Sequence, residues 1–394
     1  MDRVIYVDNN ATTMVAPEVV EAMEPYFTEL YGNPSSLHNF GGQVAKSVTR
    51  AREQVAALIG AEPEEIIFTS CGTESDTTAI RAALTSQPRK NHIITTAVEH
   101  PAVIGLCQHL EKDEGYAVTY LDVDRQGRLD LGQLEANITD STALVTIMHA
   151  NNETGVIFPV KEIAAIAAEH DVPVHTDAVQ SVGKIPVDVD DLGVDYLSMS
   201  GHKIHAPKGI GVLYVRSGAP YEPLLIGGHQ ESDRRAGTEN VPSIIGIGRA
   251  AELAMQNMGE ERTRVAGLRD RMEACITETI EDSHVNGAGV PRLPNTLSIS
   301  FDYVEGESIL LMLDQEGICA STGSACSSAS LEVSHVIEAM GVPPTCAHGS
   351  MRFSLSRYNT EEEIDFVCEH LVKIIERLRK MSPFSRDRKT IDTE

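Results

Sequence analysis

The sequence predicts an α/β fold built on a mostly parallel sheet, and three observations carry that prediction. From about residue 43 to residue 300, short apolar runs alternate with helical patterns. Five of the runs end in a cluster of polar residues, as strands do when they deliver side chains to one edge of an open sheet. The composition is that of a globular enzyme: 394 residues, 42% hydrophobic and 23% charged, enough to bury a full core without a disulfide or metal staple. At roughly 150 residues per domain, that length implies two or three domains.

In chain order, Gln43–Ile59 places Val44, Val48, Ala51, Val55 and Leu58 on one helical face, and Gly60 stops the helix. Strands are expected at Glu65–Thr69, His92–Ala97, Ala143–Met148, Val172–Thr176, Tyr196–Met199 and Gly211–Val215. A helix over Val160–Glu169 separates two of them. The charged pattern of Glu252–Ile280 reads as a long helix, either bridging two domains or lying solvated on the surface. Beyond it, Thr296–Phe301 reads as a strand, Ser308–Asp314 as a helical turn and Ser321–Ser330 as a loop of small residues. Thr360 and Glu363 form a capping box for a closing helix striped with Ile364, Val367, Cys368, Leu371, Ile374 and Leu378. The division expected is a large domain over residues 16–255 and a smaller one over 1–15 and 256–394, with a polar tail from about 383.

Charge and cysteine usage exclude several classes of function. Thirty-two basic against 58 acidic residues give a net charge of −26, which repels phosphate backbones and anionic lipid, so neither nucleic acid nor membrane is expected as a partner. Nothing near the start resembles a signal peptide, and no apolar run approaches the ~18–20 residues that span a bilayer. The seven cysteines are scattered and never spaced C-x-x-C, which points to a cytoplasmic protein without disulfides or a zinc site.

The chemistry is concentrated at the strand ends. Five runs lead into Cys71-Gly72-Thr73, Glu99-His100-Pro101, Asn151-Asn152-Glu153, Asp177-Ala178-Val179-Gln180 and Gly201-His202-Lys203. There is no glycine-rich dinucleotide fingerprint, no P-loop and no H-E-x-x-H. The groups suit an aromatic cofactor that carries a phosphate. Gly72-Thr73 opening a helix offers N–H groups and a hydroxyl to a phosphate. Asp177 can keep a pyridine nitrogen protonated, and Lys203, between two histidines, can react with an aldehyde. Those are a protein's tasks toward pyridoxal 5'-phosphate.

Longer motifs carry a family resemblance: Tyr6–Thr13, Tyr31–Ser36, Val98–Ala102, Asn151–Gly155, His175–Gln180, the Lys203 run, Arg234–Thr238, Ser324-Ala325-Cys326 and Arg352–Arg357. In this order, over nearly the whole chain, they resemble the cysteine desulfurases, in particular the NifS/IscS branch of class-V, fold-type-I pyridoxal phosphate enzymes. The resemblance implies a large domain with a seven-stranded, mostly parallel sheet flanked by helices, and a smaller α+β domain. It implies that Lys203 holds the cofactor covalently, and that His100 stacks on its ring and moves protons. Asp177 would pair with the ring nitrogen, Gln180 and Asn152 would approach the phenolic oxygen, and Asn151 is the alternative to Asn152. Gly72, Thr73, Ser200 and His202 would hold the phosphate, completed by Thr238 of a second subunit in a homodimer. Arg352 would fork onto the substrate carboxylate, assisted by Asn33.

Cys326 stands among Ser, Thr, Gly and Ala, with nothing to pack it into a core. The resemblance makes it the nucleophile that takes the sulfur of L-cysteine as a persulfide, releases L-alanine and passes the sulfur to an iron–sulfur scaffold of the IscU/NifU kind. The same thiolate suits a transient iron ligand shared with that scaffold. Serine-x-glycine-serine-alanine-cysteine, matched by Ser321–Cys326, separates this branch from selenocysteine lyases. Aminotransferases need no such thiol. A catalytically silent interaction protein would not need Lys203, His100, Asp177 and Cys326 together. Cys107, Cys275, Cys319 and Cys368 read as buried hydrophobes, and Cys346 as a loop bystander.

Overall fold

The computed structural model describes residues 4–322 and 333–382. After a short strand, Ile5–Tyr6 (β1), the chain builds a seven-stranded sheet from Ile66–Thr69 (β2), His92–Thr96 (β3), Ala117–Leu121 (β4), Thr142–Thr146 (β5), Val174–Asp177 (β6), Tyr196–Ser200 (β7) and Gly211–Val215 (β8). Their order is β2-β8-β7-β6-β5-β3-β4, and within it only β8 runs antiparallel to its neighbours. The carboxyl ends of β2, β3, β5, β6 and β7 therefore share one edge.

The strands read as continuous apolar runs because both faces are covered. Ile66 and Phe68 point to one core while Ile67 points to the other, and Ile94/Ile93, Val145/Leu144 and Leu197/Tyr196 divide in the same way. One face is packed by the helices Asn39–Ile59, Val160–Ala168 and Val241–Glu260, the other by Gly72–Thr85 and Pro101–Glu114.

A separate core gathers Ile5 and Val7 with the helices Ala266–Thr279 and Glu361–Met381 and an antiparallel sheet. That sheet comprises Ser283–Val285 (β9), Thr296–Phe301 (β10), Ser321–Thr322 (β12) and Ser350–Ser354 (β13), while Ile318–Cys319 (β11) pairs with β1. The closing helix begins in the expected capping box, with Glu363 N–H and the Thr360 hydroxyl 3.3 Å apart and Thr360 N–H donating back to Glu363. Among the described residues no helix is long and apolar enough to cross a membrane.

Three details differ from the sequence reading. The strand β4 was not anticipated: it is the sheet's edge and half exposed, so its residues lack a clean alternation. The bridging helix starts at Val241 rather than Glu252 and runs to Thr279 through a π-helical turn at Glu261–Val265. Its early glycines hide the helical signal but permit close packing, since a Cβ on Gly248 would lie 2.7 Å from Ala51. Cys275 and Cys319 are only partly buried, whereas Cys346 is buried in the short helix Pro344–Ala347.

Candidate active site

The strand ends converge on a cavity with about 930 Å³ of empty space, partly open to solvent, lined by Gly72, Thr73, His100, Asn152, Asp177, Gln180, Ser200, His202, Lys203 and Arg352. Asn10, Ala11, Cys71 and Asp76 complete much of the wall. Every cofactor residue expected from the sequence is here except Thr238.

Gly72 and Thr73 open the helix Gly72–Thr85, whose first amides have no side-chain cap. An uncapped helix start attracts an anion. A Cβ on Gly72 would meet Val179 Cγ2 at 2.9 Å, so the cradle needs glycine. Ser200 Oγ, at the end of β7, is buried with no hydrogen-bond partner among the described residues, as is Asn152 Oδ1. Unpaired buried polar atoms around a polar cavity mark groups that a ligand satisfies. The residues present fit pyridoxal phosphate.

Asp177, at the end of β6, accepts a hydrogen bond from Val179 N–H at 2.8 Å. Burial raises its pKa to about 6. Asp76, one helical turn beyond Gly72, is raised well above the carboxylate range by burial and then by the charge of Asp177. Asp76 is therefore the neutral member of the pair, and Asp177 carries the negative charge that a pyridinium wants.

His100 caps the helix Pro101–Glu114, its Nδ1 accepting from Ala102 N–H at 3.1 Å. The ring proton must then sit on Nε2. Burial and then the charge of Lys203 lower its pKa to about 4, so the ring is neutral at pH 7. Lys203 donates to the carbonyl oxygens of Asn10 and of Ala11, the latter at 2.9 Å. His202 Nδ1 is 3.1 Å from Thr12 Oγ1.

The adjacent asparagines separate cleanly. Asn151 turns inward, donating to Val98 O and accepting from the N–H groups of Glu153 and Thr154, all at 2.9 Å. Asn152 faces the cavity. Glu99 also turns inward: fully buried, it accepts from Met148 N–H and the Thr96 hydroxyl and so ties β3 to β5. Burial pushes its pKa up to about 8. Glu153 accepts from the Ser334 hydroxyl at 2.5 Å.

Arg352, from the smaller sheet, reaches the cavity almost fully buried. It donates to Asp8 Oδ1 at 2.8 Å and to Asn152 O at 2.9 Å, and its Nε has no partner among the described residues. Asn33 is exposed and lies outside the cavity wall. Thr238 lines a different hollow, with Thr69, Ser70, Glu231 and Arg235. Cys326 lies outside the described residues.

Sequence reasoning missed Asn10 as an individual site residue. Its carbonyl accepts from Lys203 and from Gln180 Nε2, its Nδ2 donates to Asn152 O at 3.2 Å, and its backbone N–H donates to Ser354 Oγ at 2.9 Å. Asp8 and Asp76 were missed too. The one available signal for Asp76 was its spacing of four from Gly72, which puts both on one helix face.

This architecture, with a lysine, an acid and an anion-binding helix start at one sheet edge, is that of a cofactor-dependent group-transfer enzyme. Residues 5–367 match the model of the class-V aminotransferases, and the chain belongs to that family, whose fold is served by pyridoxal phosphate. Within it the chain is similar to proteins named cysteine desulfurase. One from Trichormus azollae is 60% identical over 384 residues, spanning 98% of this chain and 96% of the relative. The cysteine desulfurase NifS of Azotobacter vinelandii is 56% identical over 381 residues, spanning 96% and 94%. A solved NifS-like protein superposes with a TM-score of 0.89 at 40% identity, over 95% of this chain and all of the other. The seven-stranded sheet and flanking helices anticipated from the sequence agree with that likeness.

Proposed function

We propose that the cavity removes the sulfur of L-cysteine, leaving L-alanine and a persulfide on Cys326, and that this protein acts as a cysteine desulfurase supplying iron–sulfur cluster assembly. The observation that carries the reading is one cavity joining Lys203, His100 and Asp177 to a buried guanidinium from the other core. Near-full-length identity of 56–60% to named cysteine desulfurases supports it.

Bound here, pyridoxal phosphate supplies an electron sink for the charge left when a substrate α-proton departs. Lys203 would hold it covalently, Asp177 would keep its ring nitrogen protonated, and Asn152 and Gln180 would serve its phenolic oxygen. Gly72, Thr73, Ser200 and His202 take the phosphate. Thr238 of a second subunit completes that site in a homodimer, which agrees with its place outside its own chain's cavity. His100, neutral with its proton on Nε2, moves protons at the substrate. Arg352 takes the substrate carboxylate, with Asn33 as an assistant once substrate is bound.

Cys326 attacks the substrate sulfur: the S–S bond forms, the C–S bond breaks, and its electrons remain with the carbon that becomes alanine. Ser321 pairs in register with Arg352. The persulfide passes to an iron–sulfur scaffold, nitrogenase maturation included, and Cys326 could ligate a nascent cluster there. The chain divides into two domains, residues 16–255 and 1–15 with 256–394; the separate core supports the smaller one, while Val336, Ile337, Met340 and Ala347 pack into a core of the larger.

Mass spectrometry after incubation with L-cysteine tests the reading: a sulfur atom should appear on the Cys326 peptide. Its absence while alanine is formed would assign the nucleophile elsewhere.

A further inference from the structure

Behind Gln180 lies Lys184, buried and fixed by two hydrogen bonds. Its ammonium donates to Gln180 Oε1 at 3.0 Å and to Asn10 Oδ1 at 3.1 Å. Burial, and after it the charge of Lys203, lowers the Lys184 pKa to about 7; in its ammonium form the group has only protons to offer, so the atoms facing it are amide oxygens. That fixes the Gln180 side chain in one orientation, with its NH2 group turned to the cavity side, where Nε2 also donates to Asn10 O at 3.1 Å. Asn295 donates to the same Asn10 Oδ1 at 3.0 Å, so Asn10 is locked independently of Lys184, whereas Gln180 Oε1 is not.

We infer that Lys184 is a positioning residue, holding Gln180 as a hydrogen-bond donor toward the cofactor's ring oxygen. This deepens the proposed function and rests on it. Lys184 touches neither the substrate nor the cofactor cavity. It borders a second, narrow hollow shared with Lys203, His205, Glu261 and Arg357. The charged groups acting on it are Lys203, Arg352 and Glu261, the last from the π-helical turn of the bridging helix. With Lys184 gone, Gln180 Oε1 loses its hydrogen-bond partner and the amide is held only through Nε2 on Asn10 O, so one of its two anchors is lost.

A donor to the ring oxygen stabilises the negative charge that remains there when the bound cofactor loses a proton, so losing the donor raises the pH at which that proton leaves. The test is a pH titration of the visible absorption of the holoenzyme. Gln180→Leu and Lys184→Met should each raise the midpoint by about half to one pH unit. The double variant should shift by no more than Gln180→Leu alone, because Lys184→Met acts only by loosening the donor that Gln180→Leu removes. Lys184→Arg, which keeps proton donors at the end of the side chain, should return the midpoint toward the wild-type value. If Lys184→Met does not fold, Lys184→Gln carries the same comparison, with a smaller rise expected. An unmoved midpoint overturns the role of Lys184. Fully additive shifts overturn it too, since they would mean that Lys184 acts by charge and not through Gln180. Wild-type protein that gains no visible band with pyridoxal phosphate would instead overturn the reading of the cavity itself.

Discussion

Arg352→Lys is the sharpest perturbation of the substrate end of the cavity. The guanidinium makes two bonds to the protein, to Asp8 Oδ1 and Asn152 O, and keeps Nε–H and one further proton on each terminal nitrogen for a ligand. A lysine preserves the charge and one of the protein bonds but has no planar fork, so a carboxylate loses at least one of two charge-assisted bonds. Such a bond is worth about 1.5–3 kcal/mol, which corresponds to a rise of roughly 10- to 150-fold in KM. Because the bond is made equally before and during reaction, kcat should change far less. Alanine release at varied L-cysteine gives both constants, and the visible absorption of the holoenzyme reports whether Asn152 and the cofactor have stayed in place. An unchanged KM with a collapsed kcat and an intact absorption band would refute the reasoning, because it would make Arg352 an agent of the chemistry and not of carboxylate binding.

Other perturbations separate the remaining groups. Cys326→Ala should retain the absorption band yet form no alanine from cysteine, and full turnover to sulfide in that variant would remove Cys326 from the mechanism. Ser334→Ala takes the N-cap from the helix His335–Ala339 and leaves buried Glu153 without its donor, a loss of about 2 kcal/mol in chemical unfolding that Ser334→Thr should largely restore. His100 has a folded pKa of about 4 against about 6.5 unfolded, so as pH falls from 6.5 toward 4 the unfolded chain binds a proton that the folded chain does not. Its contribution, up to about 3 kcal/mol, is present above pH 6.5 and lost on descent through that window. His100→Gln should therefore flatten the decline of Tm between pH 6.5 and 4, and an identical decline in both proteins would contradict a neutral His100. Gly211→Ala should impair cofactor binding, because its Cβ would lie 2.5 Å from the backbone of Cys71 and displace the loop that starts the phosphate helix. Equilibrium titration with pyridoxal phosphate measures that.

What the sequence shows and what it hides follow from the range of the interactions. The buried strands were legible because each is covered on both faces, which writes an apolar run into consecutive residues, and the polar group after each run marked the common edge. The edge strand Ala117–Leu121 escaped for the complementary reason, being covered on fewer sides. Asn151 and Asn152 could not be told apart in sequence, since both are polar and follow the same strand. Only the turn geometry decides which amide meets Val98 and which meets the cavity.

The groups that hold the catalytic residues in place were the least visible, and their partners explain why. Asp8 meets Arg352 across 344 positions, and Asn10 meets Ser354 across the same separation. Lys184 meets Asn10 across 174. No periodicity or spacing rule connects residues so far apart. A physical condition does connect them: a buried ammonium or guanidinium is tolerated only where oxygens surround it. Lys184 and Arg352 each carry donors into the protein, and Asp8, Asn10, Asn152 and Gln180 supply the oxygens that receive two from each. The first strand and its following turn are thus required by the charges of both cores. For the same reason, truncating the chain before Ala11 should cost cofactor retention as well as stability, because Lys203, Gln180 and Arg352 would each lose a partner at once.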